Sequence, residues 1–320
     1  MAITKRPVGN SGIEVAPIAL GGNVFDWTAD EATSFDVLDA FVDAGGTMID
    51  TADVYSSWVA GHRGGESEAL IGRWLKRDPA KRHKVVIATK VGYDAGLAPE
   101  TIEPACDASL QRMGIDSIDL YYQHKDDESV PLGASLGAFD ELVRQGKIRA
   151  IGLSNFSPER LAAAMDAARS GNLAMPAALQ PWYNLVERNR FEGALRDVAA
   201  AEGLAVFPYF SLAGGFLSGK YRSMDDASAS ARGARAVAYL DERGREVLAA
   251  LEELAEETGT AMATVALAWL KAQPTVTAPI ASATSADQAD QLIAAMTLEL
   301  SDEQISRLSD ASDEAANNLS

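Results

Sequence analysis

Three short apolar runs of this chain each end on a residue able to ionise. T-M-I-D closes on Asp50, V-V-I-A-T-K on Lys90 and I-D-L-Y-Y-Q-H on His124, while Tyr55 follows Asp50 in the adjoining loop. Together these types form a proton-transfer set. A reaction that delivers hydride to a carbonyl carbon builds charge on the oxygen, so a proton donor must stand within hydrogen-bond reach. A phenol with a pKa of about 10 becomes a better acid beside a cation. Lys90 supplies the cation, Asp50 keeps it charged in a partly buried site, and a neutral His124 can hydrogen-bond a substrate oxygen and orient it. Taken singly, each residue has an ordinary explanation. An Asp after a strand caps a helix, a Lys closing a strand is a solvated gatekeeper, and a His after an apolar run is an interior residue. Their joint placement on successive strand ends is what argues for chemistry. His62 and His83 read as exposed loop residues, and no His, Cys, Asp or Glu cluster has metal-ligand spacing, so no metal is expected.

Such strand ends must be brought to one place by a framework. Val- and Ile-rich runs alternate with stretches of helical period, the pattern of βα units. After a hairpin-like start from Ile3 to Val15, turning at Gly9-Asn10-Ser11-Gly12, strand candidates fall at Ile18–Leu20, Thr47–Asp50, Val85–Thr89, Ile118–Tyr122, Ile148–Gly152, Ala178–Gln180, Ala205–Pro208 and Val276–Ile280. Helix candidates between them include Glu31–Ala44, Glu66–Lys76, Pro99–Arg112, Leu132–Gln145, Pro158–Arg169, Phe191–Glu202 and Arg243–Glu257. This count predicts an α/β chain forming a single (β/α)8 TIM barrel over residues 1–320, with its site at the C-terminal ends of the strands. No G-x-G-x-x-G follows the first strand, where Gly21-Gly22 runs into Asn23-Val24-Phe25, which argues against a doubly wound dinucleotide fold. Thr260–Lys271 precedes the eighth strand without a strand of its own and reads as an extra helix near the C-terminus. Met224–Tyr239 is the longest loop candidate, on the catalytic side, where such a loop can act as a lid.

Acidic side chains outnumber basic ones 46 to 28, and a net charge of −18 repels nucleic acid and anionic lipid, so neither is an expected partner. The single cysteine, Cys106, lies in an apolar-periodic stretch with Ile102, Ala105 and Leu110, which predicts a buried core residue and fits a reducing compartment. The N-terminus has no apolar run of signal-peptide length and no window approaches the ~18 apolar residues of a membrane span. A cytoplasmic protein is expected. No long apolar seam stands out, which leaves a monomer or a small homo-oligomer.

Beyond these residue-level readings, the stretches GGTMIDTADVY, VVIATKVG, IDLYYQH, IRAIGLSNF, LQPWYNLVER, FSLAGGFLSGKY and PIASATSADQ resemble the aldo-keto reductase family over nearly the whole chain. The resemblance implies a (β/α)8 barrel plugged at its N-terminal face by the hairpin. It implies an NAD(P)H-dependent oxidoreductase that interconverts an aldehyde, ketone or sugar with its alcohol. Tyr55 would be the general acid, tuned by Lys90 and Asp50, with His124 positioning the substrate. Ser154, Asn155 and Gln180 would meet the nicotinamide carboxamide, and Tyr209 its ring. Phe210, Ser211 and Leu212 fall to the cofactor as well. So do Gly214, Gly219 and Lys220, in a Gly-rich turn that lets backbone approach a pyrophosphate beside a cation. Ser282, Thr284 and Gln288 fall at the adenosine end. NADPH-preferring members commonly place an Arg or Lys there, because a dianionic phosphate needs a fixed cation. Residues 280–295 of this chain hold no basic residue, and Asp287 and Asp290 add negative charge. The expected cofactor is therefore NADPH, with NADH as the alternative and Arg222 or Arg232 as cations another segment could supply.

The expected substrate wall is aromatic: Trp27, Trp58, Phe156 and Trp182, joined by Phe210 and Tyr239. An aromatic cavity with one polar end suits aromatic or medium-chain aldehydes and also sugars. Two other readings remain. A cofactor-binding regulatory subunit of the potassium-channel beta type keeps such a barrel for a partner, and is disfavoured because no segment is added ahead of the barrel. A Schiff-base lyase would use Lys90 as nucleophile, and is disfavoured because a nearby Asp50 favours the charged amine.

Overall fold

The Val- and Ile-rich runs pair side by side as parallel strands. The computed structural model describes residues 3–228 and 231–313. A two-stranded antiparallel hairpin, β1 (Arg6–Pro7) and β2 (Glu14–Val15), comes first. Eight parallel strands follow: β3 (Ala19–Gly21), β4 (Met48–Asp50), β5 (Val86–Val91), β6 (Ile118–Gln123), β7 (Ile148–Ser154), β8 (Ala178–Gln180), β9 (Ala205–Val206) and β10 (Ile280–Ala281). Neighbours in sequence are neighbours in the sheet, and β10 returns to pair with β3. Val276 bridges Val206, and Ile280 N–H donates to Pro208 O, so the sheet closes on itself. The chain is a (β/α)8 barrel.

Its helices are α1 (Glu31–Asp43), α2 (Glu66–Arg77), α3 (Pro99–Met113), α4 (Leu132–Arg144), α5 (Pro158–Ser170), α6 (Ala194–Ala201), α7 (Gly233–Ala236), α8 (Glu242–Thr258), α9 (Met262–Ala272), α10 (Ala286–Thr297) and α11 (Asp302–Ala311). Their starts follow from local chemistry. Asp30, Ser157, Asp241, Ser285 and Ser301 each accept a backbone N–H from the first turn of the helix they open. Ser301 and Gln304 form a reciprocal capping box. The candidate helix Phe191–Glu202 begins later than expected. Residues 188–190 form a 3-10 turn, and Gly193 with φ of 92° breaks the helical path before Ala194.

Two layers of apolar packing hold the barrel. Inside it, Met48, Ala88, Leu120, Tyr122, Ala178, Phe207 and Ile280 fill the lower end together with Val8, Ile13 and Val15 from the hairpin. The hairpin thus plugs the N-terminal face. Gly9, at φ of 51°, passes so close to the barrel that a Cβ would lie 2.4 Å from Ala177 O. Outside, the helices bury their apolar stripes on the outward faces of the strands, and Cys106 is fully buried there as expected. With both faces covered, parallel strands read as continuous apolar runs rather than alternating ones. Among the described residues no helix is long and apolar enough to cross a membrane.

The long segment after Lys220 is not an open loop. Met224–Ser228 and Val237–Tyr239 are 3-10 turns on either side of α7, and residues 229 and 230 lie outside the described ones.

One close approach fixes the first half of the helical ring. A Cβ on Gly72 of α2 would lie 2.4 Å from Arg112 O and 2.9 Å from Met113 Cα of α3. Alanine normally gains about 1 kcal/mol over glycine in a helix, but overpacking of this kind costs about 1–3 kcal/mol. Gly72→Ala is expected to lose about 1–2 kcal/mol in urea unfolding. Equal or greater stability would show that α2 and α3 can part without cost.

Candidate active site

Barrel closure carries the ionisable strand ends to one mouth. Register pairs Asp50 with Ala88 across β4 and β5, and Lys90 with Tyr122 across β5 and β6. The ladder continues past the strands, with Thr51 N–H on Ala88 O at 2.8 Å, Asp53 N–H on Lys90 O at 3.2 Å and His124 N–H on Val91 O at 2.9 Å. Those bonds set where the loop carrying Tyr55 turns back over the barrel.

Lys90 is the centre. Its Nζ donates to Asp50 Oδ2 at 2.7 Å, to Thr51 O at 2.7 Å and to Tyr55 OH at 2.8 Å. Tyr55 OH in turn donates to Asp50 Oδ2 at 3.3 Å. Gln180 Nε2, from β8 across the barrel, donates to Asp50 Oδ1 at 2.8 Å. Both side chains of the ion pair are only 1% exposed. Burial pulls the Lys90 ammonium below its usual range, and the charge of Asp50 opposes that pull. Burial and then the Asp50 carboxylate push the Tyr55 phenol well above its usual range. This departs from the sequence expectation that the neighbouring cation lowers it: desolvation outweighs the cation, and the phenol holds its proton at neutral pH. Burial, then Lys90 and Lys125, push His124 down to about 2, so its ring is neutral. His124 Nδ1 is buried without a hydrogen-bond partner, and the ring lies 6.1 Å from that of Tyr55 and 4.8 Å from that of Tyr93.

A second polar cluster adjoins the first. Ser154 Oγ donates to Gln180 O at 2.9 Å, and Asn155 Nδ2 donates to His124 O at 2.8 Å. Tyr209 OH donates to Asn155 Oδ1 at 2.7 Å. Asn155 takes a left-handed φ of 57°, which turns its amide inward at the end of β7. Ser211 Oγ donates to Pro208 O and Ile280 O, which ties the loop after β9 to β10. Leu212 packs beneath that loop against both outer clusters, and Phe210 lies 4.7 Å from Trp182. In the turn beyond, Gly214, Gly215 and Gly219 all have left-handed φ. Lys220 folds back along it, with its ammonium 5.1 Å from the Tyr221 ring.

Ser282, Thr284 and Gln288 gather at the head of α10. Thr284 donates to Gln288 Oε1 from both its N–H and its hydroxyl, and Ser282 Oγ donates to Asn23 Oδ1 at 2.6 Å. Of the two cations considered for this end, Arg222 pairs with Glu252 and donates to Gly219 O on the outer surface. Arg232 lies 5.3 Å over the Trp27 ring.

The aromatic wall is split. Trp27 meets Trp58 edge-on at 5.4 Å, and Trp58 meets Tyr55 at 6.2 Å. Trp182 stands opposite with Tyr209 and Phe210. Phe156 is apart from these: it is 4% exposed, packs with Leu136, Leu153 and Leu161, and only edges a side cavity of about 360 Å³ that Trp182 and Tyr209 also line. Sequence reasoning missed Tyr93, Arg190 and Arg235 at this mouth, and a buried carboxylate behind it. Glu68 accepts from Thr89 Oγ1 at 2.6 Å and from Arg112 Nε at 2.6 Å, fully buried. Its place at the start of α2, three residues from Ile71, was the available signal. Among the described residues no group of His, Cys, Asp or Glu is placed to hold a metal ion.

Asp53 lies between Asp50 and Tyr55, and its buried Oδ1 accepts no hydrogen bond. Burial, then the charge of Glu68, push its carboxyl up to about 7 against the pull of Arg112, the Val54 N–H and Lys90. The unfolded chain releases that proton near the ordinary carboxylate value and the folded protein near 7, so stability falls as pH rises through that window and the cost is complete above it. Asp53→Asn removes the ionisation. Denaturant unfolding at pH 8 should show a gain of up to about 4 kcal/mol, with almost none at pH 4. A gain of equal size at both pH values would locate the effect in packing instead.

With this geometry in hand, the comparisons are consistent. A profile of the Aldo/keto reductase family matches residues 17–313. The uncharacterized oxidoreductase YrpG of Bacillus subtilis is 33% identical over 95% of this chain and 94% of its own length. The aldo-keto reductase yakc of Schizosaccharomyces pombe, whose name carries NADP(+), is 30% identical over 98% of this chain and 93% of its own. The L-glyceraldehyde 3-phosphate reductase of Escherichia coli strain K12 is 30% identical over 91% and 87%. The closed barrel, its strand-end site and these matches agree: this chain is an oxidoreductase belonging to the aldo/keto reductase family.

Proposed function

We propose that the chain interconverts an aldehyde, ketone or sugar with its alcohol, using NADPH, with Tyr55 as general acid and base. One observation carries the assignment: a single buried ammonium, Lys90, donates at once to Asp50 and to the Tyr55 hydroxyl. The bound dinucleotide supplies the hydride. A carbonyl oxygen placed between Tyr55 OH and the neutral His124 ring takes the Tyr55 proton as its negative charge grows. Lys90, 2.8 Å away, then stabilises the phenolate left behind, and Asp50 keeps Lys90 protonated in spite of burial. His124 orients the oxygen without adding a charge of its own. The lyase alternative needs a free amine at Lys90, and three acceptors around its Nζ oppose that state.

The chain also fits a nicotinamide dinucleotide. Ser154, Asn155 and Gln180 offer a hydroxyl and two amides beside the Tyr209 ring, matched to a planar ring with a carboxamide. Phe210, Ser211 and Leu212 lead into a turn whose left-handed Gly214 and Gly219 let main chain approach phosphate oxygens, with Lys220 at its end. Ser282, Thr284 and Gln288 hold the adenosine end at the head of α10. Trp27, Trp58 and Trp182 wall the substrate, and Phe156 supports that wall from behind.

Tyr55→Phe should lower kcat by about 10³-fold on a responsive aldehyde, in the range general acids contribute, while cofactor affinity stays within about twofold. Retained turnover would refute Tyr55 as the acid. With no basic residue in 280–295, discrimination between cofactors should be weak. Tryptophan-fluorescence titration should give NADPH and NADH dissociation constants within about tenfold of each other. A hundredfold NADPH preference would mean that a cation from another loop reaches the phosphate.

A further inference from the structure

The mouth of the barrel carries cations set on aromatic rings. Against a net charge of −18, four cations stand on its rim, each over an aromatic face. Lys125 lies 4.8 Å from the Tyr93 ring and Arg190 4.3 Å from that of Trp182. Arg232 lies over Trp27, and Arg235 lies 4.6 Å from Trp182 and 4.2 Å from Phe210. Arg190 is already met by Glu187 at 2.7 Å. Arg235 is different. Among the described residues its guanidinium meets no carboxylate and makes no hydrogen bond; its contacts are the two rings.

Its position is built. α7 carries it across the mouth in a segment fixed at both lips, by Arg232 on Trp27 and by Tyr239 OH donating to Glu187 Oε1 at 2.9 Å. Trp182 bridges to Tyr209, whose hydroxyl donates to Asn155, so Arg235 stands one ring away from the strand-end cluster. Arg190 and Arg235 both act electrostatically on Tyr209, opposing the burial that pushes its phenol up to about 12. A guanidinium stacked on a ring keeps its N–H edge free, pre-set in plane for the two oxygens of an anion. The proposed phosphate-binding groups, the glycine turn with Lys220 and the head of α10, are other elements. Arg235 belongs instead with Trp182, on the substrate wall.

We propose that the carbonyl substrate carries an oxyanion, a carboxylate or a phosphate ester, and that Arg235, held on Trp182 and Phe210, receives it. This rests on the reading of carbonyl reduction at Tyr55. A neutral substrate would leave the cation to water, whereas an anion of suitable length binds at both ends and presents its carbonyl to Tyr55.

The test compares kcat/KM for 4-carboxybenzaldehyde, 4-formylphenyl phosphate and the neutral methyl 4-formylbenzoate, on the wild-type enzyme and on Arg235→Gln. At least one anion should exceed the ester by about tenfold or more, through KM, and the anion that does so tells carboxylate from phosphate recognition. Arg235→Gln should bring that ratio to within about twofold of one. Equal kcat/KM for ester and both anions on the wild type overturns the proposal. So does a variant that keeps the anion preference but binds the dinucleotide more weakly, which would place Arg235 on the cofactor. No turnover of any of the three, with either cofactor, would sink carbonyl reduction itself and this inference with it.

Discussion

A buried ammonium is the constraint on which the site depends. An isolated charge inside a protein costs several kcal/mol, and only well-placed partners offset it. Lys90 has three, and the aspartate among them is in turn held by Gln180 from the far side of the barrel. Strands β4, β5 and β8 are therefore tied through one cation, with 130 residues separating Asp50 from Gln180. Such a tie exists only if the sheet closes, and closure depends on the final strand joining β9 to β3. At the lower end the hairpin's Val8, Ile13 and Val15 pack with Met48, Leu120 and Phe207, and among the described residues no charged side chain enters that cluster.

The charges behind Lys90 extend the same logic. Glu68 is fully buried and compensated by Thr89 and Arg112, which lie on β5 and α3. Asp50, Asp53 and Glu68 all act to keep Lys90 protonated, against a burial that would discharge it. The close contact of α2 with α3 at Gly72 is what brings Glu68 and Arg112 together, so a feature of helix packing feeds into the electrostatics of the strand ends. Asp53 is the member whose compensation falls short, because Arg112, the Val54 N–H and Lys90 do not offset its burial and the charge of Glu68. The structure tolerates that cost within the loop that must carry Tyr55, as expected where function and stability compete.

The strands were legible because parallel strands covered on both faces read as unbroken Val and Ile runs, and the site was legible because barrels place chemistry at strand ends. Asp50, Lys90 and His124 follow from that rule alone. What the sequence could not convey was depth and pairing. Phe156 has the same aromatic signature as Trp182, yet packs into the outer core, because its orientation depends on the backbone turn set by Asn155. Tyr55 was expected to be made more acidic by Lys90, but full burial dominates, and burial is not readable from one loop residue. The 3-10 turn before α6 and the 3-10 turns on either side of α7 are non-local solutions. They depend on which ring each arginine meets across the mouth.

Those cations also reconcile an acidic chain with the anionic substrate proposed for it. Surface carboxylates spread over the molecule act through solvent, where at physiological ionic strength charges are screened beyond about 8 Å. An anion arriving at the mouth is therefore governed less by the net −18 than by the side chains within that distance. Asp50 is neutralised by Lys90 and Glu187 by Arg190, while Arg235, among the described residues, meets no carboxylate and Lys125 lies over the Tyr93 ring with Asp127 acting on it. Seating cations on rings orders them and leaves their donors for an incoming anion. The negative exterior favours solubility at long range. The stacked cations act at short range, from the strand-end loops and α7.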